Sequence, residues 1–151
     1  MLVGAFFVGA FAFTVLATSP GAIAFTFTTI DVPGATSTTA IGINAHGQIV
    51  GEFSDASSQH GFLLDEGTFA TIDVPGATRT TAFGINERGQ IVGQYADVTD
   101  TVHGYLLEKA IFTTIDVPGA TLTAAYGINA AGQIVGFFTD AGGTDHGFVA
   151  Q

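Results

Sequence analysis

The chain of 151 residues contains no cysteine. That excludes a disulfide framework, a thiolate metal site, a cysteine nucleophile and a cysteine-linked lipid anchor. Basic residues are nearly as scarce: 3 Lys and Arg stand against 13 Asp and Glu, a formal net charge of −10. A protein that grips nucleic acid displaces counterions from phosphates with its own cations, and three do not suffice. An anionic membrane surface repels such a chain for the same reason. Charge of either sign is thin at 11%, whereas hydrophobic residues make up 47%. That balance lets the chain bury a core and argues against disorder. No Gly-x-Ser-x-Gly elbow and no glycine-rich phosphate loop ending in Lys is present, which removes the commonest serine-hydrolase and nucleotide chemistries. The length suits one domain.

No charged residue precedes Asp31. Residues 2–16 form an apolar run broken by a single Thr, with no Lys or Arg ahead of it. Ser19-Pro20-Gly21 stops the run, and Ala22-Ile23-Ala24 supplies a small-x-small cleavage pattern. These features predict a secretory signal over residues 1–24, cut before Phe25. The run falls short of the ~20 residues that a spanning helix needs, so an uncleaved anchor is the lesser alternative. The expected location is secreted, extracellular or periplasmic.

The rest of the sequence repeats itself. Ile-Asp-Val-Pro-Gly-Ala-Thr begins at residues 30, 72 and 115, steps of 42 and 43 residues. Gly-Ile-Asn recurs at 42, 84 and 127, Gly-Gln-Ile-Val-Gly at 47, 89 and 132, and His-Gly followed by Phe or Tyr at 60, 103 and 146. Three units of about 42 residues, placed at 25–66, 67–109 and 110–151, fill the chain behind the leader. The repetition leaves the phase of the structural boundaries open.

Each unit carries four strand signals. Residues 27–32 are β-branched and aromatic. They end at Val32-Pro33-Gly34-Ala35, where Pro suits the second turn position and Gly the positive φ of the third, as in a type II turn. Residues 38–43 form the next strand, and Asn44-Ala45-His46-Gly47 closes a hairpin through a type I turn. Residues 48–53 and 61–64 complete the set, separated by a polar loop at 55–59 whose length varies between copies. No window behind the leader has helical periodicity, so the fold class is all-β. Runs such as Ile49-Val50 and Phe62-Leu63-Leu64 place apolar groups on both faces of a strand, as in sheets stacked against their own kind. Four-stranded β-propeller-like blades meet that demand. A β-trefoil, also three four-stranded units, is the alternative.

Gly-Ile-Asn-x-x-Gly-Gln-Ile-Val-Gly, then a polar loop and His-Gly-Phe-Leu, resembles the bacterial extracellular HAF repeat. The resemblance covers all three units, with Gly replacing the Ala of His-Ala-Phe. It implies a secreted or surface-exposed repeat protein with blade-like units, usually in more copies, and it carries no established catalytic residues.

Residues common to every unit are expected to serve what the units share, which is their fold, because catalytic sites assign different roles to different residues. His60, His103 and His146 occupy one position. A three-His metal cluster is one reading; the favoured one is an imidazole bonded to the backbone of its own loop. Asp31, Asp73 and Asp116 precede the Val-Pro-Gly turn, and Asp55, Asp97 and Asp140 open the variable loop. A carboxylate pair of the glycosidase kind is conceivable, but a side-chain cap on the local backbone N–H groups is favoured for both sets. Residues 140–145 lack the alternating acids of an EF-hand. No catalytic residue, metal or cofactor is therefore expected.

A partner is read at the positions that differ between copies. Arg79 replaces Ser37 and Leu122; Arg88 replaces His46 and Ala131; Glu52, Gln94 and Phe137 share one strand position. These five residues, Arg79, Arg88, Glu52, Gln94 and Phe137, with loops 55–59, 97–102 and 140–145, are the candidate ligand surface. The expected function is structural or interactive. The alternatives are a carbohydrate-binding module, with Phe53, Tyr95 and Phe138 as one shallow site per unit, and, more remotely, a carbohydrate-active hydrolase or lyase. The partner would be a polysaccharide or a surface protein. An open arc of three blades leaves apolar faces and strand edges exposed, so a homodimer or a longer repeat array is expected.

Overall fold

The computed structural model describes residues 12–14 and 24–151; most of the expected leader lies outside the described residues. Among these residues there is no helix, and the chain is all-β. A short β1 (Ala12–Thr14) pairs with β2 (Thr26–Thr28). Three antiparallel meanders follow. The first is β3 (Ser37–Ile43), β4 (Ile49–Ser54), β5 (Gln59–Asp65) and β6 (Thr68–Ile72). The second is β7 (Arg79–Ile85), β8 (Ile91–Ala96), β9 (Val102–Glu108) and β10 (Ile111–Ile115). The third has three strands, β11 (Leu122–Ile128), β12 (Ile134–Thr139) and β13 (Asp145–Ala150). A single parallel pair, Gln59 with Arg79, links the first two meanders. Among the described residues the sheets do not close into a barrel, as the self-closing trefoil alternative would require.

The strand expected at 27–32 behaves differently between copies. It runs over Thr68–Ile72 and Ile111–Ile115 in the later copies but only Thr26–Thr28 in the first. The reason is its partner: β6 pairs with β5 and β10 with β9, strands of the sequence unit before it. The first copy has no such strand before it among the described residues. Hydrogen bonding thus groups each such strand with the preceding unit, joined by tight turns at Asp65–Thr68 and Glu108–Ile111. Glu66 and Gly67 have φ of 47° and 79° in the first of these turns, and Lys109 and Ala110 have 50° and 64° in the second.

The expected turns form. Ala35 N–H donates to Val32 C=O at 3.1 Å with Gly34 at φ 82°, and the pattern repeats at Val74 and Val117. The N–H of Val32, Val74 and Val117 is taken by the hydroxyl of Thr38, Thr80 and Thr123 at 3.1–3.2 Å. Thr, not the preceding Asp, therefore caps this turn, because its strand runs back beside the turn, while the carboxylates of Asp73 and Asp116 are turned to histidines.

Two apolar layers lie between consecutive meanders. Val50, Ile72, Val74, Ala82, Ile85, Ile91 and Tyr105 fill the first junction. Val92, Ala125 and Ile134, with Ile115 and Phe148, fill the second. A third cluster, Phe53, Phe62 and Phe69, is flanked by Ile30, Val32 and Ala35. Burying each large side chain contributes about 1.5–3 kcal/mol before conformational entropy is charged against it. Tyr105 is fully buried and its hydroxyl has no hydrogen-bond partner, while the equivalent residues are Phe62 and Phe148. Tyr105→Phe removes the orphaned hydroxyl at little change of shape. Urea denaturation should show the variant unchanged or up to about 1 kcal/mol more stable; a loss of that size would mean the hydroxyl is satisfied.

Candidate functional site

The meanders bring the repeated His and the repeated Asp residues together. His60 lies on β5 and Asp73 follows β6, the strand paired with β5; the imidazole Nδ1–H donates to the Asp73 carboxylate at 2.9 Å. His103 and Asp116 repeat the arrangement at 2.9 Å. The other ring nitrogen faces the loop carboxylate, with His60 Nε2 3.6 Å from Asp55 and His103 Nε2 3.5 Å from Asp97. Each ring lies flat on the aromatic of the neighbouring strand, at 5.1 Å from Phe53, Tyr95 and Phe138 respectively. The histidine is thus bonded to the turn carboxylate and lies beside the loop carboxylate over an aromatic, a clasp in which the buried Nε2 of His60 makes no hydrogen bond among the described residues. The expected bond from imidazole to loop backbone is replaced by pairing with carboxylates, because β5 and β6 place the turn acid directly beside the ring. Sequence reasoning missed this pair: its members sit 13 residues apart, and the pairing of β5 with β6 brings them together.

The third copy breaks the pattern. His146 reaches only Asp140, through Nε2 at 3.2 Å. Asp31 heads the first turn with no histidine ahead of it in the sequence at the matching distance.

The loop acids do what was expected of them. One oxygen of Asp55 accepts the N–H of Ser57 and Ser58, Asp97 those of Thr99 and Thr101, and Asp140 those of Gly142 and Thr144. The Ser57 hydroxyl, then the backbone N–H groups, hold Asp55 down at about 2 from an ordinary 3.8. The Thr99 hydroxyl foremost does the same to Asp97, also to about 2, and the Thr144 N–H foremost lowers Asp140. A carboxyl with a folded pKa below its unfolded one stabilises the fold above the unfolded value, and that contribution fades as pH falls towards the folded value. Melting temperature should therefore hold steady above about pH 5 and drop between about pH 4 and 2. In the Asp55→Asn/Asp97→Asn double variant, which keeps the accepting oxygens, the drop should be shallower. An unaltered acid profile in that variant would refute the assignment.

A cleft of about 440 Å³ opens beside the first clasp, between His60, Asp73, the Pro75-Gly76 turn and Arg79. A smaller one of about 230 Å³ occupies the equivalent place beside His103, Asp116, Pro118 and Leu122. Among the described residues no hydroxyl is hydrogen-bonded to either histidine: Ser57 is turned to Asp55 and Ser58 to the Thr78 carbonyl. Nothing in the clefts is arranged as a nucleophile and its base. Among the described residues no three His, Asp or Glu groups converge on a point that could hold a metal ion.

No family model matches the chain, and no curated protein matches it in sequence.

The five variable residues do not share one site. Arg79 borders the larger cleft and forms an ion pair with Asp100 at 2.7 Å, a solvent-exposed pair worth little on its own. Arg79 and Gln94 line a second small pocket with Gln59 and Thr81. Glu52 adjoins it by accepting from the Thr81 hydroxyl at 2.9 Å and from the Gln59 amide. Arg88 sits at a hairpin tip at the far end of β7 and donates to the Ala130 carbonyl of the next meander. Phe137 lies in the third meander, stacked on Tyr126 at 5.6 Å. Arg79, Glu52 and Gln94 are therefore neighbours, whereas Arg88 and Phe137 are spent on contacts elsewhere. Phe53, one of the three aromatics expected to present a sugar platform, is only 8% exposed. All three carry a histidine on one ring face, because the His strand pairs directly with theirs.

Proposed function

We propose that the chain is a secreted repeat protein of structural or interaction type without catalytic activity. On this reading its meanders are blades of a β-propeller-like array, in the manner of the HAF repeat that its motifs resemble. One observation carries it: most of the polar side chains common to the copies are hydrogen-bonded within the fold. Asn44 and Asn86 tie hairpins to neighbouring meanders, Thr38, Thr80 and Thr123 cap turns, Asp55, Asp97 and Asp140 order loops, and His60 and His103 clasp loop to turn. What is left for recognition is the variable rim, above all Arg79, which borders the larger cleft, with Gln94 and Glu52 at the small pocket next to it. The partner is a polysaccharide or a surface protein, and the net charge of −10 weighs against nucleic acid.

A carbohydrate-binding module is the second reading, favoured by the recurrence of one cleft at the same place in two meanders. Incubating the full chain with plant and bacterial polysaccharides tests both. Binding, if any, should occur without release of reducing ends or unsaturated sugars. Product release that disappears in Asp97→Asn would overturn the non-catalytic reading. Silence across a glycan array would remove the sugar-binding one.

A further inference from the structure

The two ends of the described chain are the halves of a junction that its interior shows complete. Val50 and Val92 are fully buried against the following meander, but their equivalent in the third, Val135, is 51% exposed. At the other end Ala82 and Ala125 are fully buried against the preceding meander, whereas Ala40, in the same place on β3, is exposed. Ile85 is 8% exposed and its equivalent Ile43 is 67% exposed. Among the described residues no fourth strand pairs with β13 in the third meander. The strand of matching sequence, residues 26–30, stands ahead of the first meander, and its β2 portion is paired only with β1 among the described residues. His146 lacks a turn acid, and Asp31 is a turn acid without its histidine.

We propose that the third meander docks on the first meander of a second copy of this chain, head to tail, and that two copies close a ring of six meanders. The occupant is specified by the internal junctions. Phe62 pairs with Thr71 and Leu63 with Ala70, as do Tyr105 with Thr114 and Leu106 with Thr113. The same register sets Phe148 against Thr29 and Val149 against Thr28 of the second copy, and brings His146 Nδ1 to Asp31. Val135 then packs with Ile43 as Val50 packs in one cluster with Ile85. The inference rests on reading the meanders as blades. A heterologous contact closes a ring only at a fixed number of copies, and rings of such blades hold about four to eight. Two copies of the three described meanders make six, within that range.

The absence of native cysteine makes cross-linking clean. Opposed residues on antiparallel strands lie within disulfide reach. In the full chain, Thr28→Cys/Val149→Cys should oxidise to a single species of twice the chain mass, resolved by reduction, and light scattering of the unmodified chain should give the same dimer. Val135→Asp, which alters a residue exposed in the single chain, should halve that mass while leaving the circular dichroism unchanged. Leu63→Cys/Ala70→Cys, the same pair inside one chain, is the control and should oxidise within the monomer. If the control links and Thr28→Cys/Val149→Cys stays monomeric, or forms an open ladder, the two-copy ring is wrong and the blade reading stands. If the control itself fails to link, the blade reading falls with it.

Discussion

Gly93→Ala should be the most damaging single-atom change in this protein, lowering stability in urea denaturation by about 3 kcal/mol or more. A methyl group at Gly93 would sit 2.0 Å from the Thr81 carbonyl oxygen and 2.8 Å from the ring of Tyr105. The first is backbone and the second belongs to a fully buried side chain, so neither can retreat cheaply. The close approach has a geometric origin. Ala82 faces Gly93 and Gly84 faces Val92, leaving Phe83 as an extra residue on β7. Such a bulge presses the strand towards its partner and raises its twist. Gly51 and Gly136 stand opposite the same irregularity, each with a carbonyl oxygen 2.0 Å from the added carbon. Gly76→Ala is the contrast: nothing lies within 4 Å, but φ is +82°, so the cost is about 1–2 kcal/mol of left-handed backbone strain. Equal losses in the two variants would show that crowding at the bulge is not the cause.

That contrast also marks what the sequence could tell. The final Gly of Gly-Gln-Ile-Val-Gly repeats without exception, which says it matters; the bulge that makes it matter comes from pairing between strands. The Val-Pro-Gly-Ala and Asn-x-x-Gly turns were legible because proline, glycine and asparagine encode their dihedral angles locally. The hairpin joining β9 to β10 was not. In the first meander Glu66-Gly67 offers a turn dipeptide, but in the second Lys109-Ala110 adopts the same positive φ values without glycine, the tertiary pairing overriding the local preference. Missing the β5–β6 and β9–β10 hairpins hid the neighbourhoods of His60 with Asp73 and of His103 with Asp116, and with them the clasp. The turn acids were taken for caps for the same reason. Composition and repetition pointed to an all-β chain; the chemistry of the His position needed the pairing of β5 with β6.

Asn86→Ala should follow Gly93→Ala in severity, costing about 2–4 kcal/mol in the same assay. Asn86 is 2% exposed and makes four bonds at once. Its side-chain oxygen accepts the N–H of Arg88 and of Gln90 at 3.0 and 3.1 Å, closing its own hairpin. Its amide donates to Gln90 Oε1 at 2.6 Å and to the Asn129 carbonyl of the next meander at 3.0 Å. Truncation leaves backbone donors without their acceptor and frees the Gln90 amide that it had positioned against Glu108. Such buried groups cost more unpaired than the bonds gain when made. Asn44 does the same work one step earlier, donating to the Asn86 carbonyl at 3.0 Å, so the asparagines form a rung-by-rung tie along the array. Asn129 closes its hairpin in the same way, through Ala131 and Gln133, but its amide meets no further meander among the described residues. In the isolated chain Asn129→Ala should therefore cost about 1 kcal/mol, the price of one solvated turn. Under conditions where two copies associate, its cost should rise towards that of Asn86→Ala, since its amide would then face the Asn44 carbonyl of the second copy. An Asn129→Ala penalty that is small and independent of protein concentration would argue that the last rung of the tie is never filled by another chain.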